Sequence, residues 1–129
     1  MKTTPLSVKT HSAGPPTTDQ RGLKLVLAPG TSLTWVMYPR LRTEKPPVVT
    51  ILGREDALKI ETPAGTDYVF LAAEPFEFRA GDLSFKGTAG LIRIRPGQTL
   101  LALPSPGSLR LGRFELSSEH PATKEFGPY

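Results

Sequence analysis

The sequence contains no cysteine and no asparagine. Without cysteine there is no disulfide and no thiolate metal site. A small exported domain often relies on such cross-links, but at 129 residues a hydrophobic core can suffice. Without asparagine there is no N-linked glycan, and one deamidation-prone residue is missing. Adaptation to heat and skewed genome composition both produce that depletion. Histidine is limited to His11 and His120, both in end segments with weak structural signals. The body of the chain therefore offers nothing for a histidine metal site or a Ser-His-Asp triad, and no cofactor is expected. No apolar run approaches ~18 residues, so no membrane-spanning helix is predicted. Residues 1–20 lack the apolar core of a secretory signal, which leaves either a cytoplasmic protein or a domain of a longer exported parent.

Turn-formers are abundant. With 12 glycines and 14 prolines, about one residue in five interrupts regular structure, which excludes a helical bundle or coiled coil. The apolar runs are short and end at turn signals. Leu23–Ala28 stops at Pro29-Gly30, Ser32–Tyr38 at Pro39, Pro47–Leu52 at Gly53, and Ala57–Glu61 at Pro63-Ala64-Gly65. Thr66–Ala72 stops before Glu74-Pro75, Phe76–Arg79 at Ala80-Gly81-Asp82, Leu83–Lys86 at Gly87, and Ala89–Arg95 at Pro96-Gly97. Gln98–Leu103, Ser108–Leu111 and Arg113–Leu116 close the series. Within these runs the apolar residues alternate: Leu23/Leu25/Leu27, Leu33/Trp35/Met37, Phe76/Phe78, Leu83/Phe85, Ile92/Ile94, Leu109/Leu111 and Phe114/Leu116. A period of two is the mark of half-buried strands. Tyr68–Ala72 and Leu100–Leu103 are apolar on both faces and are predicted as central strands. About ten short strands point to an all-β, antiparallel two-sheet β-sandwich, with a jelly roll or small β-barrel as the alternative. The domain is predicted over residues 21–116. Residues 1–20 read as an arm or linker remnant, an edge strand around Leu6–Val8 being the alternative. Residues 117–129 read as a C-terminal tail, with Phe126 and Tyr129 placed to dock on the body.

No phosphate-binding glycine loop, zinc-protease motif or calcium loop occurs. Asp67, Glu74, Glu77 and Asp82 are carboxylates by type, but no pair stands out as glycosidase machinery. Glu77, between two phenylalanines, reads as a solvent-facing strand residue, and Asp67 as a turn-ordering one. The formal net charge of +4 permits an anionic partner without requiring one. Six cations fall between Arg79 and Arg113 against the single acid Asp82. Arg93 and Arg95, two apart in a strand, share a side, and Arg110 would extend them into a basic strip if its strand lay beside theirs. Arginine forks suit carboxylate and sulfate, so the functional reading is a groove for an acidic polysaccharide. The plainer reading is a solvated face that deters edge pairing. Tyr38, beside Pro39-Arg40, is the better surface aromatic, whereas Trp35 and Tyr68 read as core. The candidate ligand-binding residues are thus Arg93, Arg95, Arg110, Tyr38 and Arg40. Nucleic acid ranks lower as a partner, because Phe76, Phe78 and Phe85 alternate like core residues rather than stacking platforms.

One series of short motifs resembles a known family. It runs Trp35-Val36-Met37-Tyr38-Pro39, then Pro47-Val48-Val49, then Ile60 through Leu71, then Phe85-Lys86-Gly87-Thr88-Ala89-Gly90 and the basic strand through Arg95. Over roughly residues 23–116 it is similar to the C-terminal β-sandwich of heparinase II/III-like polysaccharide lyases and related multidomain carbohydrate-active proteins. In such lyases the catalytic groups sit mainly in a helical toroid that the β-domain helps to wall. The resemblance therefore implies an accessory module and carries no catalytic residue to this chain. Three functions remain as expectations. A module for carbohydrate recognition or packing against a catalytic domain predicts a basic or aromatic groove. A structural or protein-interaction domain predicts an apolar surface patch. A carbohydrate-active enzyme predicts a deep pocket holding two acids.

Overall fold

A computed structural model describes residues 7–13, 20–26, 36 and 39–129 of the chain. The chain divides between Leu33 and Thr34 into two compact units. In the first, β1 (Ser7–Ala13) pairs antiparallel with β2 (Gln20–Val26), Val8 opposite Leu25 and Thr10 opposite Leu23. Part of the segment expected as an arm is thus a strand. Its sequence has a single sizeable apolar residue, too little for a periodicity signal. The expected strand at Ser32–Tyr38, with Trp35 and Tyr38, lies outside the described residues except for Val36.

The second unit holds β3 (Val48–Ile51), β4 (Ala57–Thr62), β5 (Gly65–Ala80), β6 (Leu83–Arg95), β7 (Gln98–Leu103), β8 (Gly107–Leu111), β9 (Phe114–Ser118) and β10 (Ala122–Phe126). The all-β antiparallel architecture is as the sequence predicts, and no helix occurs among the described residues. Four hairpins turn over two residues each, at Pro63-Ala64, Gly81-Asp82, Pro96-Gly97 and Gly112-Arg113, all positions flagged by turn chemistry.

One hydrogen-bonded sheet supplies the layers of the sandwich. All eight strands belong to a single hydrogen-bonded sheet in the order β10-β7-β6-β5-β4-β3, with β8 and β9 attached to the other half of β6. The first part of β6 (Leu83–Lys86) pairs with β8 and the last part (Leu91–Arg95) with β7. The expected breaks at Glu74-Pro75 and at Gly87 do not end strands; they bend them. On β5 the pairing jumps from Leu71↔Ala89 to Phe76↔Gly87, so residues 72–75 oppose Thr88 alone. Pro75 has no N–H to donate and sits in that bulge without breaking a ladder.

Gly90 meets the bend from the other side. Phe70 lies opposite Gly90 in register, yet its ring stacks on Phe85 at 4.5 Å and 12°. Five residues of straight strand separate side chains by about 16 Å, so β6 must curl to bring the rings together. A Cβ at Gly90 would lie 2.8 Å from the Phe85 ring and 3.1 Å from Leu109. Around this stack pack Ala57, Phe76, Leu83, Ile92, Leu101, Leu103 and Leu109, all buried. Phe76 meets Phe85 edge-on at 5.1 Å.

The expected tail is also structured. β10 pairs with β7, Phe126 opposite Thr99, and Phe126 packs against Phe114 at 4.8 Å. Ala122 and Phe126 share one side of β10 with exposed Lys124, a mixed face that hides the strand from a periodicity reading. Leu100–Leu103 is central, as expected. Tyr68–Ala72 is central too, but Leu71 remains 53% exposed.

The bend sets the first prediction. Gly90→Val should lower unfolding free energy by about 1–3 kcal/mol through overpacking against Phe85. Leu71→Ser, on the exposed face, should stay within about 0.5 kcal/mol of the parent. Urea denaturation followed by circular dichroism measures both.

Candidate functional site

Arg93 and Arg95 share one side of β6, as their spacing dictates, and the strand opposite supplies Asp67. Arg93 reaches Asp67 through Nε at 3.3 Å and Nη2 at 3.2 Å, and Arg95 through Nη1 at 3.0 Å. Arg95 Nη1 also donates to the carbonyl of Ile94 at 2.9 Å. Asp67 is the most covered of the three side chains at 17% exposure, against 46% for Arg93. Its role is therefore to hold two arginines rather than to order a turn.

The strip expected from Arg93 through Arg110 does not form. β8 pairs with the opposite half of β6, so Arg110 lies across from Ser84 and Glu115. Its Nε donates to the carbonyl of Gly112 at 3.1 Å. Arg40 is exposed in the loop before β3, donating to the Glu44 carbonyl at 2.9 Å. Tyr38 lies outside the described residues. Counting acids along residues 79–113 missed Asp67 because it arrives from another strand. Glu77 faces solvent as expected, 3.5 Å from Lys86.

Two features emerge that charge counting did not find. The first is the outer face of the sheet, turned away from the phenylalanine core. Register places Ile51, Leu58, Val69, Leu91 and Ala102 in one row across β3 to β7, followed by Thr123 on β10. The adjacent row holds Val49, Ile60, Asp67, Arg93, Leu100 and Glu125. Val49, Ile51 and Leu71 are exposed. An open groove of about 520 Å³ runs over Val69, Leu71, Ala89, Leu91, Ala102 and Pro104, with Pro121 on its margin. Its lining carries no charged side chain. The run apolar on both faces at Tyr68–Ala72 was the available signal.

The second is a shallow cleft of about 330 Å³ lined by Arg113, Phe114, Phe126, Gly127 and Tyr129. Phe114 lies nearly parallel to Tyr129 at 6.0 Å and 21°. The Arg113 guanidinium sits 5.0 Å from the Phe114 ring centre and 5.7 Å from that of Tyr129. Lys124 Nζ lies 5.0 Å from the Phe126 ring centre. The Tyr129 hydroxyl is 2.7 Å from that of buried Thr99, and its N–H donates to the Gly97 carbonyl at 3.1 Å. The sequence signals were the tail aromatics and the Arg113-Phe114 pair just after the Gly112 turn.

Neither groove is lined by an aspartate or glutamate side chain. Among the described residues no three His, Cys, Asp or Glu side chains gather in a way that would hold a metal ion. His120 closes a turn in which its N–H donates to the Ser118 hydroxyl at 3.1 Å. No family model matches the sequence, and no curated protein or solved structure matches it either.

The Asp67 cluster sets the second prediction. A double-mutant cycle on Asp67→Ala and Arg93→Ala should give a coupling of about 0.2–1 kcal/mol, because Arg93 is half in water. The coupling should shrink as salt is raised from 0.01 to about 1 M.

Proposed function

We propose that this chain is a non-catalytic β-sandwich accessory module that packs its outer sheet face against another protein domain. The observation that carries this reading is the set of apolar residues sharing the outer face, in which Val49, Ile51 and Leu71 are exposed, Ile60, Val69, Leu91 and Ala102 are half-buried and Leu58 is buried between them. A half-exposed antiparallel sheet ordinarily presents polar residues to water. Contiguous apolar surface on a folded domain marks an interaction site when it is rimmed by polar groups. Here Asp67, Arg93 and Arg95 supply polar groups on the same face, in fixed geometry suited to setting orientation. The edge strand β3 strengthens the reading, with Val48, Val49 and Ile51 all exposed and hydrogen bonding to β4 on one side.

The resemblance to heparinase II/III-like β-domains points the same way, since such domains wall a cleft by packing on a helical toroid. Acidic-polysaccharide binding through Arg93, Arg95 and Arg110 has less support. Two of those cations are engaged by Asp67, and the third is on a separate part of the sheet. An enzymatic role has less support again, as no pair of acids faces either groove.

With its face uncovered, the isolated chain should self-associate as concentration rises and should bind an apolar fluorescent dye. Leu71→Glu combined with Val49→Glu should abolish both while leaving the circular dichroism spectrum intact. Sedimentation velocity and dye titration are the measurements. A parent chain that stays monomeric and dye-silent would remove the docking reading.

A further inference from the structure

Among the described residues, β3, β9 and β10 each have a single hydrogen-bonded neighbour in the sheet of the second unit. Two of these edges are defended. β9 carries Glu115, and β10 carries Lys124 and Glu125, charges that deter a foreign strand. β3 reads Val-Val-Thr-Ile, with no charge, no proline and no bulge, and all four of its residues are exposed. An edge left in this state is a template for strand pairing.

The pairing with β4 fixes which backbone groups of β3 point outward. Leu52 N–H donates to the Ala57 carbonyl at 2.9 Å. Backbone groups alternate sides along an antiparallel strand, so Thr50 and Val48 also turn theirs toward β4, opposite Lys59 and Glu61. Val49 and Ile51 therefore turn their N–H and C=O groups away from β4. Pairing this edge with its own copy requires a two-fold axis normal to the sheet, and the strand offers four residues to centre it on. A centre at Val48 or Val49 sets Pro47, which has no N–H, opposite Val49 or Ile51. A centre at Ile51 sets Gly53, which lies outside the strand at φ +79°, opposite Val49. A centre at Thr50 sets Val49 opposite Ile51 on both sides of the axis. Each copy then donates twice and accepts twice, and every outward group of β3 is met. Thr50 meets Thr50 on the axis as a close pair, about 4.5 Å between Cα atoms, where two hydroxyls can bond. Lys59 and Glu61, the charges on that side of β4, lie 3.3 Å apart and offset each other, so no single charge opposes the approach.

We infer that β3 pairs with β3 of a second copy of this chain, antiparallel and centred on Thr50, so that two sheets run on as one. The self-complementary register favours a second copy over a foreign peptide strand. The edge is short, at four residues, so the pair is a reversible one at the small end of protein interfaces. It closes at two copies, because each β3 is used once and the other edges carry charge. The inference goes beyond docking through the outer face and does not rest on it. Pairing uses backbone groups in the plane of the sheet, whereas docking uses side chains that stand on it.

The test uses the full chain carrying Leu71→Glu, which removes association through the outer face and leaves β3 as it is. Sedimentation velocity over a concentration series should show a monomer–dimer equilibrium. Hydrogen exchange followed by NMR should slow at the Val49 and Ile51 amides as concentration rises, while the Thr50 amide stays equally protected throughout. Because the chain has no cysteine, Thr50→Cys introduces a single thiol. Oxidation should join it into a disulfide dimer, since the spacing at the axis falls within disulfide range. Val48→Cys, four residues out of step with its copy, should not cross-link. Thr50→Lys should weaken dimerisation severalfold by setting like charges opposite each other, and an equal mixture with Thr50→Glu should restore it. Ile51→Pro removes an outward N–H without touching the β4 ladder, so it should abolish the dimer while the circular dichroism spectrum stays intact. Four results would each overturn the proposal: a monomer at every concentration, a dimer indifferent to Thr50→Lys and Ile51→Pro, a Val48→Cys disulfide formed as readily as that of Thr50→Cys, or slow exchange at Val49 and Ile51 in the monomer. The last would mean that the chain's own backbone fills this edge. Dye binding by the parent chain should not change with Thr50→Lys, so failure here and failure of the docking reading are separable.

Discussion

The stack of Phe70 on Phe85 is the contact on which the second unit depends. The two residues are far apart along the β5–β6 hairpin, and they meet because both strands curl at the same level. The bulge at residues 72–75 lengthens β5 on the outside of the curve, and glycines at 87 and 90 let β6 take the inside. Once curled, one hairpin supplies both layers of the sandwich. Its open end recruits β4, β3, β7 and β10, and its turn end recruits β8 and β9. Burying a phenylalanine pair with Ile92, Leu101 and Leu109 around it holds the curl closed. Truncating one such ring in a packed core costs about 3–5 kcal/mol.

Folding one sheet over on itself has a consequence for function. A sheet with two faces and one core leaves its other face outside. In this chain that face is not repolarised. Leu58, Val69, Leu91 and Ala102 lie in register across four strands, where alternation with the core-facing Tyr68, Ile92 and Leu101 would ordinarily place hydrophilic residues. Asp67 and its two arginines interrupt this surface with a cluster of small net charge. Meanwhile the margin near β9 and β10 collects the rings of Phe114, Phe126 and Tyr129 with Arg113 and Lys124 beside them. Strand alternation alone places the apolar outer face and this aromatic margin on different sides of β10.

Much of this was legible in the sequence. Turn chemistry located all four tight hairpins, and alternation identified the inward residues Phe76, Leu83, Phe85, Ile92 and Leu109. Punctuation was misleading at two places. Pro75 and Gly87 mark bends inside long strands, and a proline in a bulge looks in sequence like a proline that ends a strand. β10 was obscured because exposed Lys124 falls between Ala122 and Phe126 on their side of the strand. The candidate site was read less well than the fold. Arg93 and Arg95 do share a side, but their partner Asp67 is 26 residues from Arg93, and only strand pairing brings it there. Charge counted along the chain says little about charge in space. The apolar face was foreshadowed by Tyr68–Ala72, a run apolar on both faces whose strand is central while Leu71 stays exposed.

The central claim is that the outer face is apolar and, among the described residues, left open at Val49, Ile51 and Leu71. Side-chain methyl NMR in the presence of a soluble paramagnetic chelate tests it most directly. The methyls of Val49, Ile51 and Leu71 should broaden strongly, while those of Ile92, Leu101 and Leu109 stay sharp. Equal protection of the two sets would mean that the chain covers this face itself, and would contradict the account.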